Sequence, residues 1–142
     1  MQLRGVGGRD NVEPLRLADR GELRYIEGLS AASYSLAAHI IERQTSQALG
    51  QLSRAGHKAT IEQAVWETFS PGTVVFLRAV FAKTVAGCFA LGQRSKKAED
   101  VADEAVAEML AFIDSPGVVD AHAADQLLTL AALSPYESRF VT

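Results

Sequence analysis

Residues 59–84 read ATIEQAVWETFSPGTVVFLRAVFAKT, and the way this stretch folds decides the architecture of the chain. Its second half, 73–84, is crowded with Val74, Val75, Phe76, Leu77, Val80 and Phe81. Branched and aromatic side chains at this density suit a pleated, largely buried surface, so the run predicts a strand. Residues 59–69 alternate more loosely through Ile61, Ala64, Val65 and Trp66. Between the two lies Ser70-Pro71-Gly72, where proline fixes φ and glycine accepts a left-handed conformation, the makings of a turn. The expectation is an antiparallel pair of strands joined at Pro71-Gly72.

Working outward, residues 22–31 carry Leu23, Tyr25 and Ile26 among polar partners and predict a short strand closed by Gly28 and Ser30. Residues 36–52 space Leu36, Ile40, Ile41, Ala48, Leu49 and Leu52 three or four apart, with Glu42, Arg43, Gln44 and Gln47 opposite. That is an amphipathic helix, with Ser35 as its expected cap and Gly56 beyond its end. Downstream, 86–91 reads as a further short strand marked by Gly87 and Gly92. Residues 98–113 form a second helix on the spine Val101, Ala105, Met109 and Ile113. Glu99, Asp103, Glu104 and Glu108 are expected on its solvated face. Ser115-Pro116-Gly117 stops it, and Asp120 is placed to cap a last helix running to Leu133. Residues 139–142 read as the start of one more strand, and 1–11 as a glycine-rich turn or ragged end. The order gives an α+β class: a small sheet with two packed helices, then a further C-terminal helix.

The chain has 142 residues, of which 48% are apolar, enough for one compact core. A formal net charge of −3 is the wrong sign for a surface that holds RNA through many phosphates, so any such contact must be a local patch. Arg94, Lys96 and Lys97 gather at a helix start, as solvated decoration or as that patch. Cys88 is the only cysteine, which excludes an intrachain disulfide and reads as a small buried apolar residue. Arg4, Arg9 and glycines stand where a secretory signal needs apolar residues, and no apolar run approaches the ~20 residues of a membrane span. A cytoplasmic location is the expectation. His39 and His57 have no partner at metal-ligand spacing. Trp66, Phe69, Phe76 and Phe81 are able to stack bases but are expected in the core.

The chemistry-bearing stretch is VDAHAADQL, residues 119–127. On a helix, His122, Asp125 and Gln126 share a face, while alanines leave the imidazole accessible. A carboxylate beside the ring can fix its tautomer and leave a nitrogen lone pair free to attack, and Gln126 can donate to a phosphate oxygen. By spacing alone, a surface histidine bonded to its neighbour is the favoured reading, since His and Asp meet at this spacing in many helices.

Five segments in fixed order resemble the RNA 3'-terminal phosphate cyclase family: PLRLADRG at 14–21, AAHIIERQ at 37–44, SPG at 70–72, GQRSKKAE at 92–99 and HAADQL at 122–127. The resemblance implies an ATP-dependent enzyme that converts an RNA 3'-phosphate to a 2',3'-cyclic phosphate. In it His122 is the nucleophile that becomes adenylylated, Asp125 and Gln126 lie at the nucleotide, and Mg²⁺ or Mn²⁺ accompanies the triphosphate. It also implies a division of the chain: 1–21 as the tail end of an incomplete large catalytic domain, 22–98 as an inserted α+β domain, and 99–142 as helices of the large domain. Leu130 stands where the family usually has proline. The nucleotide-binding segments expected ahead of the insert are absent, so a fragment inactive alone, a homodimer, or a piece that needs a complementing chain is expected. The alternative function is a non-catalytic interaction or assembly module of the same descent.

Overall fold

The computed structural model describes residues 8, 11–36 and 38–142; the glycine-rich opening, expected as a turn or ragged end, lies largely outside them. In chain order the elements are β1 (Arg16–Leu17), β2 (Leu23–Ser33), α1 (His39–Arg54), β3 (Ala59–Trp66), β4 (Thr73–Phe81), β5 (Val85–Leu91), α2 (Ala98–Asp114), α3 (Ala121–Leu133) and β6 (Arg139–Phe140). The α+β class holds, with a four-stranded mixed sheet in the order β3-β2-β4-β5 and a two-stranded parallel ribbon of β1 and β6.

The expected hairpin at Pro71-Gly72 is not formed. β2 lies between β3 and β4, pairing parallel with β3 and antiparallel with β4. The parallel pair needs a crossover, which α1 supplies, and β4 then fills the other side of β2. Residues 67–72 therefore step across the end of one strand, roughly 10 Å at normal strand spacing, which six residues easily span. Ser33 anchors the step: its hydroxyl accepts from Gly72 N at 2.8 Å and from the Thr68 hydroxyl at 2.7 Å, and it lies 3.1 Å from the Ser70 carbonyl. β2 is also longer than expected, running through Gly28 and Ser30. A Cβ on Gly28 would lie 2.6 Å from the Phe76 carbonyl oxygen, so glycine here permits close backbone approach rather than ending the strand. Gly87 likewise falls inside β5.

Both long helices cover one face of this sheet. β4 turns Val75, Leu77, Ala79 and Phe81 inward at strand period, and β5 adds Ala86, Cys88 and Ala90. Against them pack Ala48 and Leu52 of α1 and Val101, Ala102, Ala105, Val106 and Met109 of α2 in one core. α2, expected with the C-terminal helices, thus belongs to the same core as the sheet. Phe76, Trp66 and Phe69 are exposed rather than buried; of the four aromatics expected in the core only Phe81 is there, edge-on to Phe112 at 6.0 Å. Sheet period explains Phe76, whose neighbours Val75 and Leu77 take the inward positions.

α1 starts at His39, and its N-cap position is Ala38, without a side-chain cap; Ser35 does not serve. Gln44, expected on the solvated side, is fully buried, where its Oε1 accepts from the Ser30 and Thr73 hydroxyls at 3.1 and 2.8 Å. The buried stripe is wide because α1 touches the sheet on one side and α2 on the other. The acidic row of α2 is also not merely solvated. Glu99 takes both ends of the Arg43 guanidinium at 2.7 and 2.5 Å, and Asp103 accepts from Gln47 and Gln51. Arg43 holds the Glu99 carboxyl below its ordinary range.

The segment before β2 closes the far end of α2. Arg20 donates to the carbonyls of Phe112 at 2.9 Å, Ile113 at 2.6 Å and Gly117 at 3.0 Å, with its guanidinium over the Phe81 and Phe112 rings. Orphan carbonyls at a helix C-terminus attract such a cation. Gly21 follows in the left-handed region at φ 71°, its amide held by Asp19.

Candidate active site

His122 owes its place to the residues just ahead of it. Val118 and Val119 are buried with Ala124, Leu17 and Phe140 in a second small cluster, and both valine amides donate to the Val141 carbonyl. This fixes the entry to α3. Asp120 is buried and does two jobs with one carboxylate. Its Oδ1 accepts from Ala123 N at 2.8 Å, capping α3 as the sequence predicts, and its Oδ2 accepts from Gly87 N at 3.1 Å. The second bond uses an amide on the free edge of β5, so the helix start is pinned to the sheet.

His122 is the second residue of α3, and its ring is 54% exposed. One side of the ring lies against Phe89 of β5, centroids 5.2 Å apart and tilted by 36°. Nε2 stands 3.4 Å from Glu108 Oε1 of α2. The sequence placed Asp125 as the carboxylate neighbour; the structure brings Glu108 instead. Among the described residues, neither Asp125 nor Gln126 is bonded to His122, and both are exposed on α3. Glu108 and Phe89 were not legible as site residues. Their contact depends on how α3 docks at the β5 edge, which no local period encodes.

The imidazole is therefore accessible, rotationally restrained by an aromatic ring, and next to a carboxylate able to take a proton or balance a positive ring. Described residues gather no group of three or more side chains that could hold a metal ion. None of the helices is long and apolar enough to cross a membrane, within the described residues. The thiol of Cys88 is buried behind the site and pushed up to about 12, chiefly by burial, with Glu108 and Asp120 adding to the shift. It is no rival nucleophile.

A cavity of about 600 Å³ lies elsewhere. It opens where α1 and α2 begin, and Ala98 on its wall is ten residues from Glu108, about 15 Å along the helix.

The family model for the RNA 3'-terminal phosphate cyclase insert domain matches residues 18–114, which include all of α2. A protein of Methylococcus capsulatus named RNA 3'-terminal phosphate cyclase is 42% identical over 95% of this chain and 37% of its own length. Proteins of that name from Trichormus variabilis and Saccharolobus solfataricus are 34% and 35% identical over 89% and 87% of this chain, each over 36% of its own length. The chain thus spans little more than a third of the relatives it matches. With the insert fold in place and the match running through it, the chain belongs to the RNA 3'-terminal phosphate cyclase family.

Proposed function

We propose that this chain carries the nucleophile of an ATP-dependent RNA 3'-phosphate cyclase at His122. One observation supports the reading most: an exposed imidazole held at a capped helix start, with a carboxylate 3.4 Å from one ring nitrogen. In this reading a neutral His122 nitrogen attacks the α-phosphorus of ATP. A P–N bond forms, the bond to pyrophosphate breaks, and Glu108 is the nearest acceptor for the ring proton made acidic by that charge. AMP then passes from His122 to the RNA 3'-phosphate, which frees the ring. The neighbouring 2'-hydroxyl attacks the activated phosphorus, expels AMP and closes the 2',3'-cyclic phosphate. Phe89 and the Asp120 anchor keep the ring in place, and Asp125 and Gln126, exposed on the same helix, are the residues expected at the nucleotide. Mg²⁺ or Mn²⁺ would neutralise triphosphate charge.

We assign 18–114, α2 included, to the insert unit, with His122 on the large-domain side. The isolated chain is expected to form no adduct, because the clamps that position a nucleotide supply most of the rate. The test is a chimera in which residues 1–142 replace the matching segment of the Methylococcus relative. Incubated with ATP labelled at the α-phosphate, the chimera is expected to hold acid-labile, alkali-stable AMP that disappears in His122→Ala. Equal labelling of that variant, or a folded chimera without label, overturns the assignment.

A further inference from the structure

The groove remote from His122 collects cationic side chains. The carboxyl ends of β2, β3 and β5 and the first turns of α1 and α2 all lie at one end of the sheet, because β4 runs against the others and each helix follows a strand. Here His39, Arg43, Arg94, Lys96 and Lys97 line the cavity, and none of its lining residues is acidic. Arg43 and Lys96 are engaged by Glu99 and Glu104. Arg94 and Lys97 form no salt bridge among the described residues, and both are exposed. In a chain of net charge −3, these cations beside a cavity are a concentrated exception, although Glu99 lies within electrostatic reach of Lys97. The wall also includes the start of α1, whose N-cap position Ala38 makes no side-chain cap hydrogen bond.

A second, independent feature adjoins it. Pro71 and Gly72 line the groove, and the connection they end carries Phe69, which is fully exposed. Tyr34, 79% exposed, and Trp66, 44% exposed, stand beside it, tied by Tyr34 N donating to the Trp66 carbonyl at 2.9 Å. Three large aromatics at one strand end, left in water, are unusual where nothing is stacked on them.

We propose that this end of the insert unit binds single-stranded nucleic acid, with backbone phosphates in the groove on Arg94 and Lys97 and bases stacked on Tyr34, Trp66 and Phe69. Cations that follow a backbone, flanked by flat side chains, are the combination single strands require; a bare polyanion has no use for the aromatics, and a duplex keeps its base faces covered. The cavity falls in the range of roughly 300–1,000 Å³ that encloses ligands of nucleotide size. This site goes beyond the reading of His122 and survives its failure.

The test is fluorescence anisotropy of a labelled single-stranded RNA of roughly 12 nucleotides on the 142-residue chain. The salt is varied between about 50 and 200 mM. Arg94→Glu with Lys97→Glu is expected to weaken binding at least about tenfold and to flatten the salt slope by about 1.4, two single-strand phosphate contacts. Arg94→Gln with Lys97→Gln, milder for folding, is expected to move both in the same direction. Tyr34→Ala with Phe69→Ala is expected to weaken binding at least about fivefold with an unchanged salt slope. Trp66 emission is expected to be quenched on binding. Absence of binding by the parent, or indifference to the charge variants, overturns the proposal. So does equal binding of duplex or inorganic polyphosphate with no effect of the aromatic variant, which would mark an anion site only.

Discussion

Replacing Arg20 by alanine tests how the insert sheet and the His122 helix are joined. The guanidinium meets three carbonyls at the end of α2 and just beyond it, at 2.6 to 3.0 Å, and stacks over two aromatic rings. A hydrogen bond to a charged group contributes roughly 1.5–3 kcal/mol, a cation at a helix C-terminus ~0.3–1, and a partly desolvated cation–π contact ~0.5–2. These terms share one side chain and do not add, and water can reach some of the freed carbonyls. A loss of about 2–3 kcal/mol follows, or about 10 °C in Tm for a chain of this size. Urea and thermal unfolding followed by circular dichroism measure it. Arg20→Lys keeps the charge but not the fork and is expected to fall between parent and alanine. The consequence should also reach the site, because Gly117 O is one of the three acceptors and leads directly to Asp120. Amide exchange at 121–127 is expected to speed up in Arg20→Ala. A shift under about 2 °C, or full rescue by lysine, would refute the clamp as the reason for this arginine.

Gly28→Ala puts a methyl group 2.6 Å from a β4 carbonyl oxygen and 2.8 Å from Leu77 Cδ2 and is expected to destabilise by about 2–3 kcal/mol in the same urea assay. Asp120→Ala removes the α3 cap and the Gly87 acceptor together; a loss of about 1–2 kcal/mol with fast amide exchange at Gly87 and Ala123 is expected. Cys88, its thiol pushed up to about 12, is expected to resist a disulfide reagent at pH 8 in the native chain and to react at once in denaturant. Glu99 is held below its ordinary 4.5 by Arg43, so the stability it contributes is present above that value and is lost as pH falls through the lower folded one. Glu99→Gln is expected to flatten the acid limb of a plot of urea midpoint against pH, modestly because the pair is at the surface.

Period and punctuation made most of the elements legible. The density of branched and aromatic residues in 73–84 marks a strand and the four-residue spine Val101, Ala105, Met109, Ile113 marks the buried side of a helix, and β4 and α2 follow them, although density alone did not say that Phe76 faces out. What period does not carry is which strands are neighbours. Ser70-Pro71-Gly72 reads as a turn whether its strands pair directly or flank a third, and only the Ser33 hydroxyl at the end of β2 reveals the second case. Gln44 failed for a related reason: its polarity suggests solvent, yet two hydroxyls from different strands satisfy its Oε1 inside the core.

At the site, the helix and its cap were readable from Asp120 and the run behind it, whereas the environment of the imidazole was not. Asp125 is the carboxylate that shares a helix face with His122, but an i, i+3 spacing only offers a meeting and does not compel one at a helix start. Docking of α3 on the bare edge of β5 places His122 between Phe89, from a strand, and Glu108, from α2, partners 33 and 14 positions away in the chain. If that docking sets the reactivity of the ring, Glu108 and Phe89 should matter more than Asp125 to a His122-dependent reaction. In the labelled chimera, Glu108→Gln is expected to slow adenylylation roughly 10²-fold and Asp125→Asn far less. The opposite order would show that the helix face, and not the junction with the insert, governs the nucleophile.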